Sequence, residues 1–368
     1  MIDSYLEMTL KDLEHRLVKL KSGRPRNLPA EYDLASQAVS VGVDRLVEDV
    51  RLLRDELESS NLPVSTVVHH LRNLTGETSR LETVLVPALA NVGQRDIALT
   101  KLLRRMHSEI AFPLLCPAVT RNSQELFWID GEFQLLGVPF EEDHSPLQYP
   151  VFYHELGHLL FAESNDQAIA KFLEALLQIG AEVTRHFRNC EIQDSRRRLS
   201  PVVVKRLAFW RMLWIEYWIE EMCCDAFAAA VCGPAYLWAF VHSSIVYGNN
   251  FYEMPSEAGA SEHPADSARV EIISIVGRIC GWGNQANQAC EIWDQAKCEL
   301  ECSETAEFRQ CYPNKLLSML ASKVVAATRS IGCSLFEQTE HESIRSELLE
   351  YWEKACKNEP GEEHLLDV

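Results

Sequence analysis

The feature that most restricts the fold is a long apolar run between two strong helix signals. Ser200-Pro201 is typical of an N-cap followed by the first helical residue, and the next stop signal is Gly233-Pro234. The stretch between them predicts one unusually long helix, with tryptophans along one side at Trp210, Trp214 and Trp218. The apolar segment 226–247 is interrupted by Gly233-Pro234, so we expect it to be buried core and not a membrane span.

Residues 1–110 also have helical periodicity, and we expect them to form a bundle or an antiparallel helical hairpin. Leucines recur at helical spacing near the start of the chain, and a second apolar pattern runs through 39–53. Further helices are predicted at 64–74 and 80–106. A contact with a partner or with another copy through these N-terminal helices is the alternative role for this region.

One sheet signal stands out between residues 126 and 136. Asp130-Gly131 separates two apolar runs and predicts a β-hairpin, because both turn positions can take a positive φ. Helices then return: one begins at Pro150, another starts near Asn165 and ends before Gly180, and others fill 267–285 and much of 290–356. We therefore predict an α+β, predominantly helical protein with an N-terminal helical region (1–110), a core (111–285) and a C-terminal helical region with an acidic tail (286–368).

Charge and cysteine content exclude some classes of function. The net charge is −19, from 35 basic and 54 acidic residues, which disfavours a nucleic-acid partner and an anionic membrane surface. The twelve cysteines include no CxxC pair, and the first residues, which lack a basic segment followed by an apolar one, lead us to expect no secretory signal. We expect a cytoplasmic protein with reduced thiols.

The sequence His154-Glu155-Leu156-Gly157-His158 matches the pattern HExxH. Residues four apart lie on one face of a helix, so both imidazoles can reach one Zn²⁺ ion. Glu155, beside them, can take the proton of a zinc-bound water and pass it to a leaving amine. The motif therefore predicts a catalytic zinc site, with the upstream hairpin as the strand against which a peptide would pair.

A third zinc ligand must come from elsewhere in the chain. Glu221 and Asp225 lie four residues apart within the long apolar helix, where acids are costly to bury unless they are paired or bind a metal. We predict that Glu221 ligates zinc and that Asp225 accepts the free N–H of His154. The alternatives are Glu216 and Glu220, of which Glu220 points about 100° away from Glu221 on the helix, and the softer ligands Cys223 and Cys224.

A loop histidine completes the set of candidates. His263-Pro264 can be held rigidly at the mouth of a site, where His263 would stabilise the oxyanion of a tetrahedral intermediate. Arg269 would anchor the loop or pair with an acid near the zinc. Tyr247 and Tyr252 are weaker candidates for the oxyanion donor.

Together these elements resemble the gluzincin metallopeptidases, in particular the branch of the CAAX prenyl endopeptidases and the HtpX-type proteases. That branch combines HExxH with a downstream ExxxD and then HPxxxxR, matched here over about 125–275 by 154–158, 221–225 and 263–269. The resemblance implies a zincin-like core, zinc bound by His154, His158 and Glu221, Glu155 as the general base, and His263 at the oxyanion. Many members of that branch span the membrane, whereas this sequence has no clear spanning helix, so their lipidated substrates are not carried over.

The sequence thus predicts a zinc-dependent metalloendopeptidase that hydrolyses peptide bonds of an intracellular protein. Two alternatives remain open. One is a zinc-dependent hydrolase of a non-peptide amide or ester, and the other is a non-catalytic interaction protein with a structural zinc. An intact Glu155 argues against the second, because a structural site has no need of that carboxylate.

Overall fold

The computed structural model describes residues 2–23, 25, 27–59, 62–123, 127–139, 146–162, 166–196, 201–248, 251–255 and 263–356. These residues are mostly helical and include one small sheet, as the α+β prediction requires. The chain divides into two compact units, 1–148 and 149–368. Four sequence predictions lie outside the described residues: Leu126 in the hairpin, Asn165 as a helix start, Ser200 as an N-cap, and the acidic tail beyond 356.

The first unit begins with five α-helices: α1 (Ile2–Gly23), α2 (Asp33–Glu58), α3 (Val64–Arg80), α4 (Val86–Ala90) and α5 (Gln94–Glu109). A π-helical turn, Leu81–Leu85, joins α3 to α4 without a break. The predicted leucine stripe of α1 is buried, and it packs in one core with the apolar face of α2. The helix predicted over 80–106 is interrupted at 91–93. There the Gly93 N–H donates a 2.7 Å hydrogen bond to the buried carboxylate of Asp96, in the first turn of α5.

The sheet of this unit has the order β1-β3-β2, formed by β1 (Ala118–Ser123), β2 (Trp128–Asp130) and β3 (Leu135–Pro139). β2 and β3 form the predicted antiparallel hairpin, but the positive φ falls on Gln134 and not on Asp130 or Gly131. β1 pairs with β3 in parallel, which places β3 in the centre. Trp128 lies over Gly137 so closely that a Cβ there would be 2.0 Å from the indole, which explains why that position is a glycine.

The second unit consists of ten helices among its described residues. They are α6 (Val151–Ala162), α7 (Ala170–Arg196), α8 (Pro201–Leu213), α9 (Ile219–Cys232), α10 (Pro234–Val246), α11 (Asp266–Ile279), α12 (Gly283–Glu299), α13 (Ala306–Cys311), α14 (Asn314–Ser330) and α15 (Gln338–Cys356). A π-helical turn, Trp214–Trp218, joins α8 to α9, so the long helix predicted from Pro201 to Gly233 is continuous. Trp210, Trp214 and Trp218 are almost fully buried along it.

Helix α9 lies at the centre of the second unit and packs against α6, α10, α11 and α14. Nearly every residue from Glu221 to Val231 is buried, which explains why the helix is apolar on all sides. It ends at Gly233, whose φ of +73° is in the left-handed region, so the segment 226–247 forms parts of two helices and not one span. The part in α9 is buried as expected, whereas α10 has an exposed side that includes Trp238 and Val246. Within the described residues, no helix combines the length and apolar composition needed to cross a membrane.

Two features of the sequence-based description differ from the structure. α7 continues through Gly180 to Arg196, because packing against α8 and α14 outweighs the roughly 1 kcal/mol that a glycine costs inside a helix. The compact units also group the chain differently from the three predicted regions. The strands belong with the N-terminal helices, and the helices of 286–356 belong to the unit that carries the HExxH motif.

Candidate metal centre

Two helices of the second unit, α6 and α9, carry the predicted ligands and cross at very close range. The contact is made at Gly157, the second variable residue of the HExxH motif. A Cβ built on Gly157 would lie 3.0 Å from the Cα and 3.1 Å from the Cβ of Cys224. A glycine therefore lets the two backbones approach, and this approach brings side chains of α6 and α9 within the reach of one ion.

Three predicted ligands come together where the helices cross. His154 Nε2 lies 3.3 Å from His158 Nε2 and 3.5 Å from Glu221 Oε2, and His158 Nε2 lies 3.6 Å from Glu221 Oε1. Each residue offers one ligand atom, and these atoms all lie within 4.8 Å of one another. The group could therefore hold a metal ion.

The spacing of these donors fits a tetrahedral ion. Bonds of 2.0–2.2 Å to nitrogen and oxygen place the ligand atoms of a tetrahedron about 3.3–3.6 Å apart. Glu221 Oε2 is buried and has no hydrogen bond of acceptable geometry among the described residues, although His263 Nδ1 lies 3.0 Å from it. Nε2 of His154 and Nη2 of Arg269 also lie 3.5 and 3.7 Å from this oxygen, and a metal ion would supply the direct bond that none of these groups makes.

A buried polar network supports His154 on the side away from the other ligands. Asp225 Oδ1 lies 3.0 Å from His154 Nδ1 and accepts a hydrogen bond of 2.6 Å from the Tyr236 hydroxyl. Arg269 donates two hydrogen bonds to the same carboxylate, Nε to Oδ2 at 2.7 Å and Nη2 to Oδ1 at 2.8 Å. Asp225 thus has its lone pairs occupied and holds the imidazole in one orientation.

Glu220 supports His158 in the same manner. Its Oε1 lies 2.8 Å from His158 Nδ1, the nitrogen that faces away from the ligand group. Both histidines therefore have a carboxylate behind them, one from Asp225 and one from Glu220. The pair of Glu220 and His158 is the more accessible one, with 42% of the glutamate side chain exposed, while Asp225 is fully buried.

Glu155 lies on α6 between the two histidines, and only 8% of its surface is exposed. Within the described part of the chain, no hydrogen bond or ion pair is made by its carboxylate. Burial raises the pKa of Glu155 above its usual range, and the two neighbouring histidines only partly oppose the shift. The side chain is therefore largely enclosed, and this environment makes its carboxylate a stronger base than an exposed one.

The electrostatics of the ligand group favour a cation at its centre. Burial alone would lower the pKa of His154, but the carboxylates of Asp225 and Glu221 raise it to about 10. Burial would raise the pKa of both acids, yet Arg269 and the histidines hold them well below their ordinary values. The acids stay ionised, so their negative charge is available to a metal ion.

The loop candidates differ in their positions. His263 lies against the ligand group through its contact with Glu221, and 57% of its side chain is exposed. Tyr252 instead accepts a hydrogen bond from Lys297 and packs on the ring of Phe308. Tyr247 is 67% exposed. Of the predicted loop residues, the structure therefore brings only His263 and Arg269 to the ligands.

The alternative ligands on the long helix are not part of the group. Glu216 is exposed on the π-helical turn. Cys223 and Cys224 are fully buried, and burial raises the pKa of both thiols well above the ordinary value, so they stay protonated. Both are packing residues, and Cys224 is the one that Gly157 faces.

Two residues of the network were not predicted in their observed places, Tyr236 and Glu220. Tyr236 follows a helix break, so no local periodicity connects it to Asp225. Glu220 was considered only as an alternative ligand. A histidine that binds a metal needs an acceptor for its second ring nitrogen, and the acid next to Glu221 in the sequence was a signal that could have identified this acceptor.

Comparison with models of known protein families, with curated proteins and with solved structures gives no match to this chain. The assignment of a function therefore rests on the motif spacing and on the geometry of the site.

Proposed function

We propose that the protein is a zinc metalloendopeptidase of the gluzincin type. The observation that carries the proposal is the group of His154, His158 and Glu221, whose donor atoms have tetrahedral spacing and lie beside the largely buried carboxylate of Glu155. Three protein ligands with two imidazoles and one carboxylate are typical of catalytic zinc sites, which keep a fourth position for water or substrate.

Zinc is the ion that this donor set favours. Two neutral imidazoles and one carboxylate at tetrahedral spacing suit Zn²⁺, whereas Mg²⁺ and Ca²⁺ prefer six or more oxygen ligands. Zinc supplies Lewis acidity to the reaction, by polarising the substrate carbonyl and acidifying water.

The residues around the group have distinct roles in the proposed reaction. Glu155 accepts a proton from the attacking water and returns it to the leaving amine, and its raised pKa makes both transfers easier near neutral pH. Asp225 and Glu220 hold the two imidazoles in the tautomer that leaves each Nε2 available. His263, which reaches the group through its contact with Glu221, donates a hydrogen bond to the oxyanion.

The proposed substrate is a peptide bond in an intracellular protein. Peptide hydrolysis requires a base that can also protonate an amine leaving group, and a single mobile proton on Glu155 serves both steps. Hydrolysis of a non-peptide amide would use the same ligands and the same base. The two substrate classes are therefore distinguished by identifying the products of the reaction.

The decisive experiment changes Glu155 to Gln in the full-length chain. This substitution keeps size and shape, leaves the three ligands intact and removes the base. We expect unchanged zinc content by elemental analysis, and a fall in peptide cleavage of about 10²–10⁴-fold. Cleavage is measured by incubating each protein with a mixture of denatured cellular proteins and identifying the new N-termini that form.

The matched controls are Glu174→Gln, on the exposed face of α7, and His158→Ala, which removes a ligand. Glu174→Gln should behave as the wild type, and His158→Ala should lose both zinc and cleavage. A Glu155→Gln protein that keeps full peptide cleavage would reject Glu155 as the base. A wild-type protein that binds zinc but generates no cleavage products would reject the enzyme, and zinc would then be structural. Turnover of a simple ester or amide without new N-termini would support the non-peptide hydrolase instead.

A further inference from the structure

The corner that carries His263 is tied to the C-terminal part of the chain by a hydrogen bond. His263, Pro264 and Ala265 lead into α11, and the N–H of the last of them donates a hydrogen bond of 3.2 Å to the Tyr312 hydroxyl. Tyr312 directly follows α13 and is fully buried. It belongs to none of the motifs that select the ligand group, so the sequence alone gave it no role.

Packing fixes the position of the Tyr312 ring. The ring stacks on Trp218, with 5.0 Å between the ring centroids and 26° between the planes. The indole N–H of Trp214 donates a hydrogen bond of 2.9 Å to the carbonyl of Cys311, the residue before Tyr312. Close-packed aromatic rings in a core have little freedom to move. The phenol is therefore held against the long helix that supplies Glu221, three residues after Trp218.

Ala265 is also the residue from which α11 begins. Its carbonyl accepts hydrogen bonds from the N–H groups of Ala268 at 2.9 Å and Arg269 at 3.2 Å, while its own N–H is bonded to Tyr312. Its φ of −58° and ψ of 140° are not helical, as is usual for an N-cap. One residue thus connects the phenol to the helix that carries Arg269 and, two residues earlier, to His263.

The position of the His263 ring depends strongly on this backbone. Its Nδ1 lies 3.0 Å from Oε2 of Glu221, yet 57% of the side chain is exposed. A displacement of Ala265 would move the ring as well, because the fixed φ of Pro264 leaves little freedom between the two residues. A misplacement of about 1 Å can lower a reaction rate on the order of 10²-fold.

We propose that Tyr312 is a positioning residue, whose hydroxyl holds His263 beside the metal group through the N–H of Ala265. The catalytic part of this inference rests on the proposed peptidase, whereas the position of His263 is measurable without any reaction. Burial raises the pKa of the Tyr312 hydroxyl well above its ordinary value, so the group stays neutral at physiological pH. The C-terminal helices thus contribute to the site as well as to the core.

The first measurement follows the His263 ring directly. The full-length protein, with one equivalent of Zn²⁺, is labelled with ¹³C at Cε1 of its twelve histidines, and the His263 signal is assigned by its absence in His263→Ala. Tyr312→Phe keeps the ring and its stacking on Trp218 and removes only the hydroxyl. We expect the His263 signal to shift while the remaining histidine signals stay in place. A general loss of folding would instead move all of them.

Tyr252→Phe is the matched control for this measurement. The Tyr252 hydroxyl also accepts a hydrogen bond, from Lys297 at 3.2 Å, and its ring contacts Phe308, which the Tyr312 ring contacts as well. The control therefore loses the same chemical group from the same aromatic cluster and leaves the bond to Ala265 intact. It should not shift the His263 signal.

The second measurement is a double-mutant cycle on cleavage of a peptide that contains a wild-type cleavage site. His263→Ala should lower kcat about 10²–10³-fold, as loss of an oxyanion donor does, and Tyr312→Phe should lower it about tenfold with KM and zinc content unchanged. In the His263→Ala background, Tyr312→Phe should lower kcat less than about twofold further, because the residue it positions is gone. Equal effects in the two backgrounds would show that Tyr312 acts on the fold alone and would overturn the proposal.

Ala265→Pro removes the same hydrogen bond from the donor side and keeps the test available if Tyr312→Phe does not fold. The φ of Ala265, −58°, already suits proline. This variant should shift the same histidine signal. A His263 signal that neither variant moves would overturn the proposal, whether or not the protein cleaves peptides. A shifted signal in a protein whose wild type cleaves nothing would reject the peptidase and support the structural link.

Discussion

The carboxylate of Glu220 lies 2.8 Å from Nδ1 of His158, on the side of the ring away from the ligand group. Its neighbour Glu221 faces the two Nε2 atoms from the same helix. Two consecutive acids on α9 thus approach one imidazole from opposite sides, one as a candidate ligand and the other as an outer hydrogen-bond acceptor.

Glu220→Ala should therefore weaken metal binding, although Glu220 is not one of the three candidate ligands. We expect about a 10–100-fold loss of zinc affinity, because His158 loses the acceptor that fixes its tautomer. Glu216→Ala is the matched control: it removes an exposed acid one turn earlier and should have no effect. Competition with a fluorescent chelator measures both. Equal affinities for the two variants would show that Glu220 is only a surface acid.

Gly157→Ala should destabilise the protein and weaken its metal site. The new Cβ would lie 3.0 Å from the Cα of Cys224, a backbone atom that cannot move aside alone, so α6 and α9 must separate by a few tenths of an ångström. Gly180→Ala in α7 is the opposite case, because its Cβ meets only Ile215 Cδ1 at 3.9 Å. We expect it to add about 0.5–1 kcal/mol to the free energy of unfolding in urea. A Gly157→Ala protein as stable as Gly180→Ala would contradict the close crossing.

Metal binding should release protons near neutral pH. In the metal-free protein the pKa of His154 is raised to about 10 by Asp225 and Glu221, so this imidazole is protonated at pH 7. A metal ion displaces that proton, and affinity should rise with pH. Calorimetry in buffers of different ionisation enthalpy should give about one proton released per ion. Uptake without proton release would contradict the raised pKa.

The same shift sets the pH dependence of metal-free stability. The pKa of His154 in the fold exceeds its unfolded value of about 6.5, so its contribution is full below that pH and is lost as pH rises toward 10. Thermal unfolding in the presence of a chelator should therefore show a lower melting temperature at pH 9 than at pH 6.5. His154→Gln should reduce this difference.

Local patterns in the sequence were sufficient to predict much of the fold and the group of side chains that could hold a metal ion. The long helix between Pro201 and Gly233, and the pairs 154/158 and 221/225, follow from helical spacing within single elements. The contacts that depend on distant segments were not predictable in this way. The parallel pairing of β1 with β3, and the hydrogen bond from Tyr236 to Asp225, join residues that no shared periodicity relates. Gly180 was misjudged for a related reason, since tertiary packing decided where α7 ends.

The network around Asp225 predicts that stability and metal binding can be separated. Asp225→Ala removes a fully buried carboxylate and leaves the guanidinium of Arg269, whose side chain is only 13% exposed, without its bidentate partner. The guanidinium keeps only a 3.7 Å contact with Glu221, so the loss of its direct partner should lower the free energy of unfolding by up to about 3–5 kcal/mol, measured in urea on metal-free protein. Glu307→Ala breaks the half-buried pair with Arg206, which water still reaches, and should cost about 1 kcal/mol.

The double variant Asp225→Leu with Arg269→Met tests the other half of this separation. Replacing both charges with apolar side chains removes the unpaired cation, so stability should recover relative to Asp225→Ala. Zinc affinity should stay about 10–100-fold below that of the wild type, because His154 still lacks its acceptor. Recovery of both properties would mean that Asp225 serves only to neutralise Arg269. If neither stability nor zinc affinity recovers, the main cost is at the Tyr236 hydroxyl, which donates a hydrogen bond to Asp225 in the wild type and has lost its acceptor.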